Sequence, residues 1–296
     1  MTGAEQGFLL LTSHLGDPSR KAFTVAQLRL LTQRVVHLQC DDPNRDLTEN
    51  DLLQLGYDRN MAAHILSLLE DRQLLEYYLL QAKKAGCYPI TRLSDAYPFA
   101  LCKALGQERP GVLWAKGDRS ILDMPRIALV GSRDLQSDNA AFAEALGRQA
   151  ALQGYALVSG NARGADKLAQ NACLKAGGKV ISVVADSLKE HARKENVLYL
   201  SEHDFDEPFT AQRAISRNRV IHSLPEATFV AQAQLRQGGT WDGTEKNLRF
   251  GWSPVYCYKD DSIAQRTLVD MGAVAIGLAD LDDIAPMLCK QRSLFD

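Results

Sequence analysis

A chain of 296 residues with 46% apolar and 24% charged side chains has the composition of a soluble globular protein that buries a sizeable core without disulfides. A formal net charge of −2 excludes a globally basic coat for nucleic acid, so any anion site has to be a local cluster. No stretch is apolar for long enough to span a membrane, and the start lacks the basic n-region and small-residue cleavage pattern of a signal peptide.

Residues 1 to about 85 predict a helical unit. TVAQLRLLTQRV (24–35) and LTENDLLQLGYDRNMAAHILSLLEDRQLLEYYLLQAKKAG (47–86) carry apolar residues three and four apart. Thr48 and Asp51 have the spacing of a capping box. Helix, Leu-Gly-Tyr, helix fits either a helix-hairpin-helix that offers turn amides to a phosphate or a plain helix corner. The stretch YPITRLSDAYPFALCKALGQERPGVLWAKGD (88–118) is rich in Tyr-Pro and turn residues, and 86–124 is expected to be an adaptor packed on a sheet edge.

From about 125 short apolar runs alternate with helical patterns. RIALV, YALVS, KVISVVA, NVLYLS, ATFVAQA, PVYCY and AVAI read as strands, with helices around 140–154, 166–178, 216–224, 244–251 and 262–272. The runs do not alternate strictly, as expected of strands covered by helices on both faces. The fold class is therefore α/β: a Rossmann-like, doubly wound, mostly parallel sheet over 86–296, preceded by a small all-helical domain over 1–85.

In such a sheet ligands bind beyond the C-terminal strand ends, and three segments converge there. VGSR (130–133) supplies Gly131, Ser132 and Arg133 ahead of a helix N-terminus. SGNARGAD (159–166) supplies Ser159, Gly160, Arg163, Gly164 and Asp166, the last as helix cap or acid. SRNR (216–219) supplies Arg217, Asn218 and Arg219. A fourth stretch, GGTWDGTEKNLRFG (238–251), adds Gly239, Thr240, Trp241 and Glu245 as possible contacts. Trp241 is either a base-stacking platform or a residue packed on the sheet. Glu245 is either an acid/base on a nucleotide or the partner of Asp242 in a capping box.

Several chemistries have no fingerprint here. There is no G-x-G-x-x-G, no G-x-x-x-x-G-K-[ST] and no G-x-S-x-G, so no dinucleotide, P-loop or hydrolase elbow is expected. The six histidines (His14, His37, His64, His191, His203, His222) lack ligand spacing, and His222 beside SRNR reads as a core or surface residue. The six cysteines (Cys40, Cys87, Cys102, Cys173, Cys257, Cys289) form no C-x-x-C pair and read as buried thiols of a reducing cytosol. Neither a metal nor a cofactor is expected.

From about 88 to 260 the order of motifs resembles the DNA-processing protein A family (DprA, also called Smf). DAYPFAL…RPGVLWAKGD, IALVGSR, SGNARGADKLAQNACLKAGGKVISVV and SE…SRNRVI are similar to that family's successive segments, with Gln170 where a His is usual. The resemblance implies an extended Rossmann-like fold that binds single-stranded DNA, commonly as a homodimer, and brings it to the recombinase RecA, with no established chemistry. By position, Gly131, Ser132 and Arg133 fall on the family's phosphate turn. Gly160, Arg163, Gly164, Asp166, Arg217, Asn218 and Arg219 fall on its other pocket motifs. ADSLKEHARKEN and GGTWDGTEKN depart from the family pattern, and the end at Asp296 leaves no room for the winged-helix domain of many members. Two functions fit these residues: a cytosolic, non-catalytic single-strand binder, and a sensor or hydrolase of a nucleotide derivative using the same pocket, as in antiphage defence. A third reading is a scaffold for dimerisation or partner docking.

Overall fold

The computed structural model describes residues 1–38 and 45–289. Five helices come first in the chain: α1 (Gly3–Thr12), α2 (Val25–Val35), α3 (Glu49–Gln54), α4 (Arg59–Glu70) and α5 (Arg72–Lys84). Thr2 with Glu5, Thr24 with Gln27 and Thr48 with Asp51 close capping boxes on α1, α2 and α3, satisfying amides that a helix start leaves unpaired. Between α3 and α4 the amides of Gly56 and Tyr57 donate to the carbonyls of Leu53 and Leu52. Both amides are therefore spent inside the turn.

The sheet strands are β1 (Cys87–Thr91), β2 (Val112–Lys116), β3 (Arg126–Val130), β4 (Ala156–Ser159), β5 (Lys179–Val183), β6 (Val197–Ser201), β7 (Ala227–Val230), β8 (Val255–Tyr258) and β9 (Val274–Ile276). Among the described residues they form one sheet in the order β1-β2-β6-β5-β4-β3-β7-β8-β9. From β6 to β9 every pairing is parallel, while β1 with β2 and β2 with β6 are antiparallel. The adaptor segment therefore becomes the sheet edge itself, as two strands flanking α6 (Phe99–Leu105). The remaining helices are α7 (Ser137–Leu152), α8 (Ala165–Lys175), α9 (Ala211–Ser216), α10 (Asn218–Ser223), α11 (Gly238–Phe250), α12 (Ile263–Asp270) and α13 (Ala285–Cys289).

Period-two strands divide the core. Ile127, Leu129, Leu157, Val180 and Phe229 face a layer made by α7, α8 and the N-terminal helices. Ala128, Val130, Val158, Ile181 and Leu198 face a layer made by α6, α10, α11 and α12. Both faces are covered, which explains the continuous apolar runs. The helical unit is tied down by Asp204, which accepts from the Ser13 hydroxyl (2.8 Å), the His14 amide (2.8 Å) and the Trp114 indole (3.0 Å). Cys87, Cys173 and Cys257 are buried free thiols and Cys102 is half-buried, while Cys40 lies outside the described residues.

Two capping expectations are corrected. α11 starts at Gly238, a turn earlier than expected, so Asp242 lies inside it and pairs with Lys246 (2.9 Å) instead of capping. Asp166 also lies inside its helix, where Gly164 is the N-cap of α8, and its carboxylate reaches back to hold the preceding loop.

Candidate nucleic-acid interface

Chain order reverses at β3, which lies between β4 on one side and β7 on the other. Loops leaving β3 and β7 diverge there, so a crevice opens beyond the strand ends. Two contiguous hollows of about 470 and 540 Å³ fill it. The first is lined by the loop after β3 (Gly131 to Asp134), by Asn218 and His222 of α10, and by Gly238 to Thr240. The second is lined by Gly160 to Arg163, Ala185 and Asp186. Arg133, Ala162, Phe209, Ala214 and Arg217 line both.

The turns lock one another. The Ser132 amide donates to the Gln232 carbonyl (2.9 Å), and the Ala165 amide to the Ser132 carbonyl (3.2 Å). Gly164 sits at φ +80°, and a Cβ there would collide with the carbonyl oxygens of Ser132 and Arg133. This position needs glycine for its backbone angle and for the close approach. At Gly160 the missing side chain makes room for the Arg217 guanidinium.

Charge is arranged in two tiers. Arg133 and Arg163 are exposed, and their guanidinium groups have no ion pair or hydrogen bond among the described residues. Beneath them Arg217 is only 9% exposed, donates from Nη1 to the Val183 carbonyl (2.6 Å) and leaves Nε without a partner. Burial pulls the Arg217 pKa down, and Asp166 and Asp186 oppose that pull. Burial raises the Asp166 pKa, against Arg217 and the amides of Ala162 (3.1 Å) and Gly160 (3.0 Å). Asp166 is thus a structural acceptor that fixes the Gly160–Ala162 turn. At the floor, His222 is 1% exposed and burial lowers its pKa to about 3, so it is a neutral core histidine.

The structure brings together Gly131, Ser132, Arg133, Gly160, Arg163, Asp166, Arg217, Asn218, Gly239 and Thr240. Asn218 joins two of the segments by donating to the Gly239 carbonyl (3.0 Å). Gly164 supports the turns from below. Ser159 is fully buried and accepts from Gln170 (2.6 Å), which also reaches Ser182 (3.3 Å). The Gln in place of the family's usual His is therefore satisfied between two strand hydroxyls. Arg219 turns away from the crevice, pairing with Glu202 (2.7 Å) and donating to the Glu108 carbonyl (2.8 Å). Trp241 is 5% exposed and packed in the core, and Glu245 is exposed on α11 outside the crevice lining. Phe209 is a lining residue that the sequence did not flag, because a lone loop aromatic has no periodicity or motif to mark it.

Residues 89–286 match the family model described as DNA recombination-mediator protein A. The chain belongs to the DprA/Smf family. It is 30% identical over 210 residues to the DNA processing protein DprA of Bacillus subtilis, covering 67% of this chain and 70% of that protein. Its fold superposes on the DNA processing protein A of Streptococcus pneumoniae with a TM-score of 0.70 at 24% identity, over 93% of this chain and 95% of the other. The DNA processing protein A of Helicobacter pylori, described for its single-stranded DNA binding mode, superposes with a TM-score of 0.57 at 22% identity, over 69% and 96% of the two chains. These two likenesses show that the mixed sheet and its helices are the DprA fold.

Proposed function

We propose that this DprA/Smf-family chain binds single-stranded DNA, holding its phosphates in the crevice between the ends of β3, β4 and β7. The observation that carries this reading is the pair of exposed, unpartnered guanidiniums of Arg133 and Arg163 above the buried Arg217. Arginine forks bind phosphate oxygens in a bidentate way, and turn amides position the backbone without reading bases. The family membership and the strand-binding relative from Helicobacter pylori support the same ligand. Arg219 has no part in it, because its charge is met by Glu202. The test is filter binding of a length series, from mononucleotide to oligonucleotide, to the wild type and to Arg133→Ala combined with Arg163→Ala. Affinity should rise with strand length in the wild type and collapse in the double variant.

A free nucleotide derivative is the second reading, favoured by a hollow of about 470 Å³, within the size range of small-ligand sites. It requires affinity to saturate at one nucleotide. Neither carboxylate proposed as its acid is placed for the task, since Asp166 is occupied by two amides and Glu245 is outside the crevice lining. The family resemblance further supports a cytosolic homodimer that passes its strand to a recombinase such as RecA. No helix among the described residues is long and apolar enough to cross a membrane. Sedimentation of the chain with and without an oligonucleotide and RecA tests the assembly.

A further inference from the structure

Phe209 is 57% exposed at the divide between the two hollows of the crevice, and it lines both together with Arg133 and Arg217. Its exposure is not that of a slack loop. On its N-terminal side Asp204 takes three hydrogen bonds, and Phe205 is buried against Tyr78 and Trp114, with ring centroids 4.9 and 5.1 Å apart. The Phe205 carbonyl also accepts from the Ser187 hydroxyl (3.1 Å). Tyr78 donates to Asp206 (2.5 Å), and Arg213 holds both Glu207 and the Pro208 carbonyl. On its C-terminal side Thr210 caps α9 by accepting from the Arg213 amide (3.1 Å). The loop therefore buries one phenylalanine and leaves the other, four residues on, exposed from a tethered backbone where it lines the crevice with Arg133 and Arg217.

We infer that Phe209 is a base-stacking platform, so that the crevice recognises an unpaired base together with its phosphates. This rests on the strand-binding reading and deepens it. A base in a duplex already has both faces stacked, whereas a base in a single strand offers a free π-face to an aromatic ring. Phosphate contacts alone would not separate the two forms, because both carry the same anionic backbone. Phe209 thus supplies the selectivity for single strands that the arginines lack. It takes the role that the sequence offered to Trp241, whose indole is buried.

The test compares wild type with Phe209→Ala, Phe209→Leu and Phe209→Tyr on three probes: a thymidine strand of about a dozen nucleotides, the same sugar-phosphate strand without bases, and a duplex of that length. Phe209→Ala should weaken thymidine binding about 5- to 150-fold, and Phe209→Leu should fall between Ala and wild type. Phe209→Tyr, which keeps the ring, should bind as wild type does. All four proteins should bind the abasic strand equally, and the preference for single strand over duplex should shrink in Phe209→Ala. The salt dependence should not change, since no phosphate contact is lost. Equal thymidine binding by all four proteins overturns the inference and leaves the crevice reading intact. Abasic binding that falls as much as thymidine binding also overturns it, because Phe209 would then hold the loop and not a base. Absence of wild-type binding to every probe overturns both readings.

Discussion

In the proposed strand-binding role, Arg217 and the two surface arginines divide one task between them. Burying a guanidinium costs solvation, and here the Val183 carbonyl, Asp166 and Asp186 offset the loss while Nε remains open. Arg133 and Arg163 are exposed and so keep their hydration. The support beneath them is a set of close approaches, so Gly164→Ala is expected to destabilise the protein by about 1–3 kcal/mol, through a φ of +80° and a collision with two turn carbonyls. A lowered denaturant midpoint together with weakened oligonucleotide binding would confirm the coupling. His222 gives a pH signature. Its folded pKa of about 3 lies below the ordinary 6.5, so the unfolded chain binds the extra proton in between. Stability should fall as pH drops through that window, by up to about 1.4 kcal/mol per pH unit, and the fall should be shallower in His222→Gln. Denaturant midpoints at pH 7 and pH 5 measure the difference. The sequence grouped Arg217 and Arg219 as neighbours with one role. Their separation depends on Glu202 and Val183, which lie far back along the chain, and no local pattern reveals such partners.

At the scale of elements, the strands were legible because apolar runs covered on both faces leave a strong signal, and β3 runs over the RIALV stretch as expected. The start of α11 was not. Asp242 and Glu245 have capping-box spacing, but packing extends the helix upstream, with Trp241 buried in one core layer and Gly243 set against His222. Tertiary burial outweighs a local cap of about 1 kcal/mol. The edge strands β1 and β2 were hidden in a Pro- and Tyr-rich stretch that reads as loop until β6 supplies a partner for β2. The join between the helical unit and the sheet rests on Asp204, which satisfies three donors from two units. Asp204→Ala should leave the Ser13, His14 and Trp114 donors unmet and cost roughly 1–3 kcal/mol or more. Hydrogen exchange should rise first in α1 and α5 while β3, β4 and β7 stay protected. Uniform loss of protection would contradict an anchor localised at that join.

Across the whole molecule, a near-neutral chain gathers the arginines of the proposed phosphate site at one place, the reversal of strand order around β3. Three loops distant in sequence meet there because the parallel sheet brings their strand ends to one side, and the motif order already pointed to that meeting. Its two-tier charge and its exposed ring needed coordinates. Salt dependence tests most directly the proposal that the crevice holds a strand by its phosphates through Arg133, Arg163 and Arg217. With about three phosphates neutralised on a single strand, log K against log salt should slope near −2 in the wild type. In the Arg133→Ala, Arg163→Ala double variant the slope should shrink to about −0.7. A wild-type slope near zero, or one that the double variant leaves unchanged, would contradict the account.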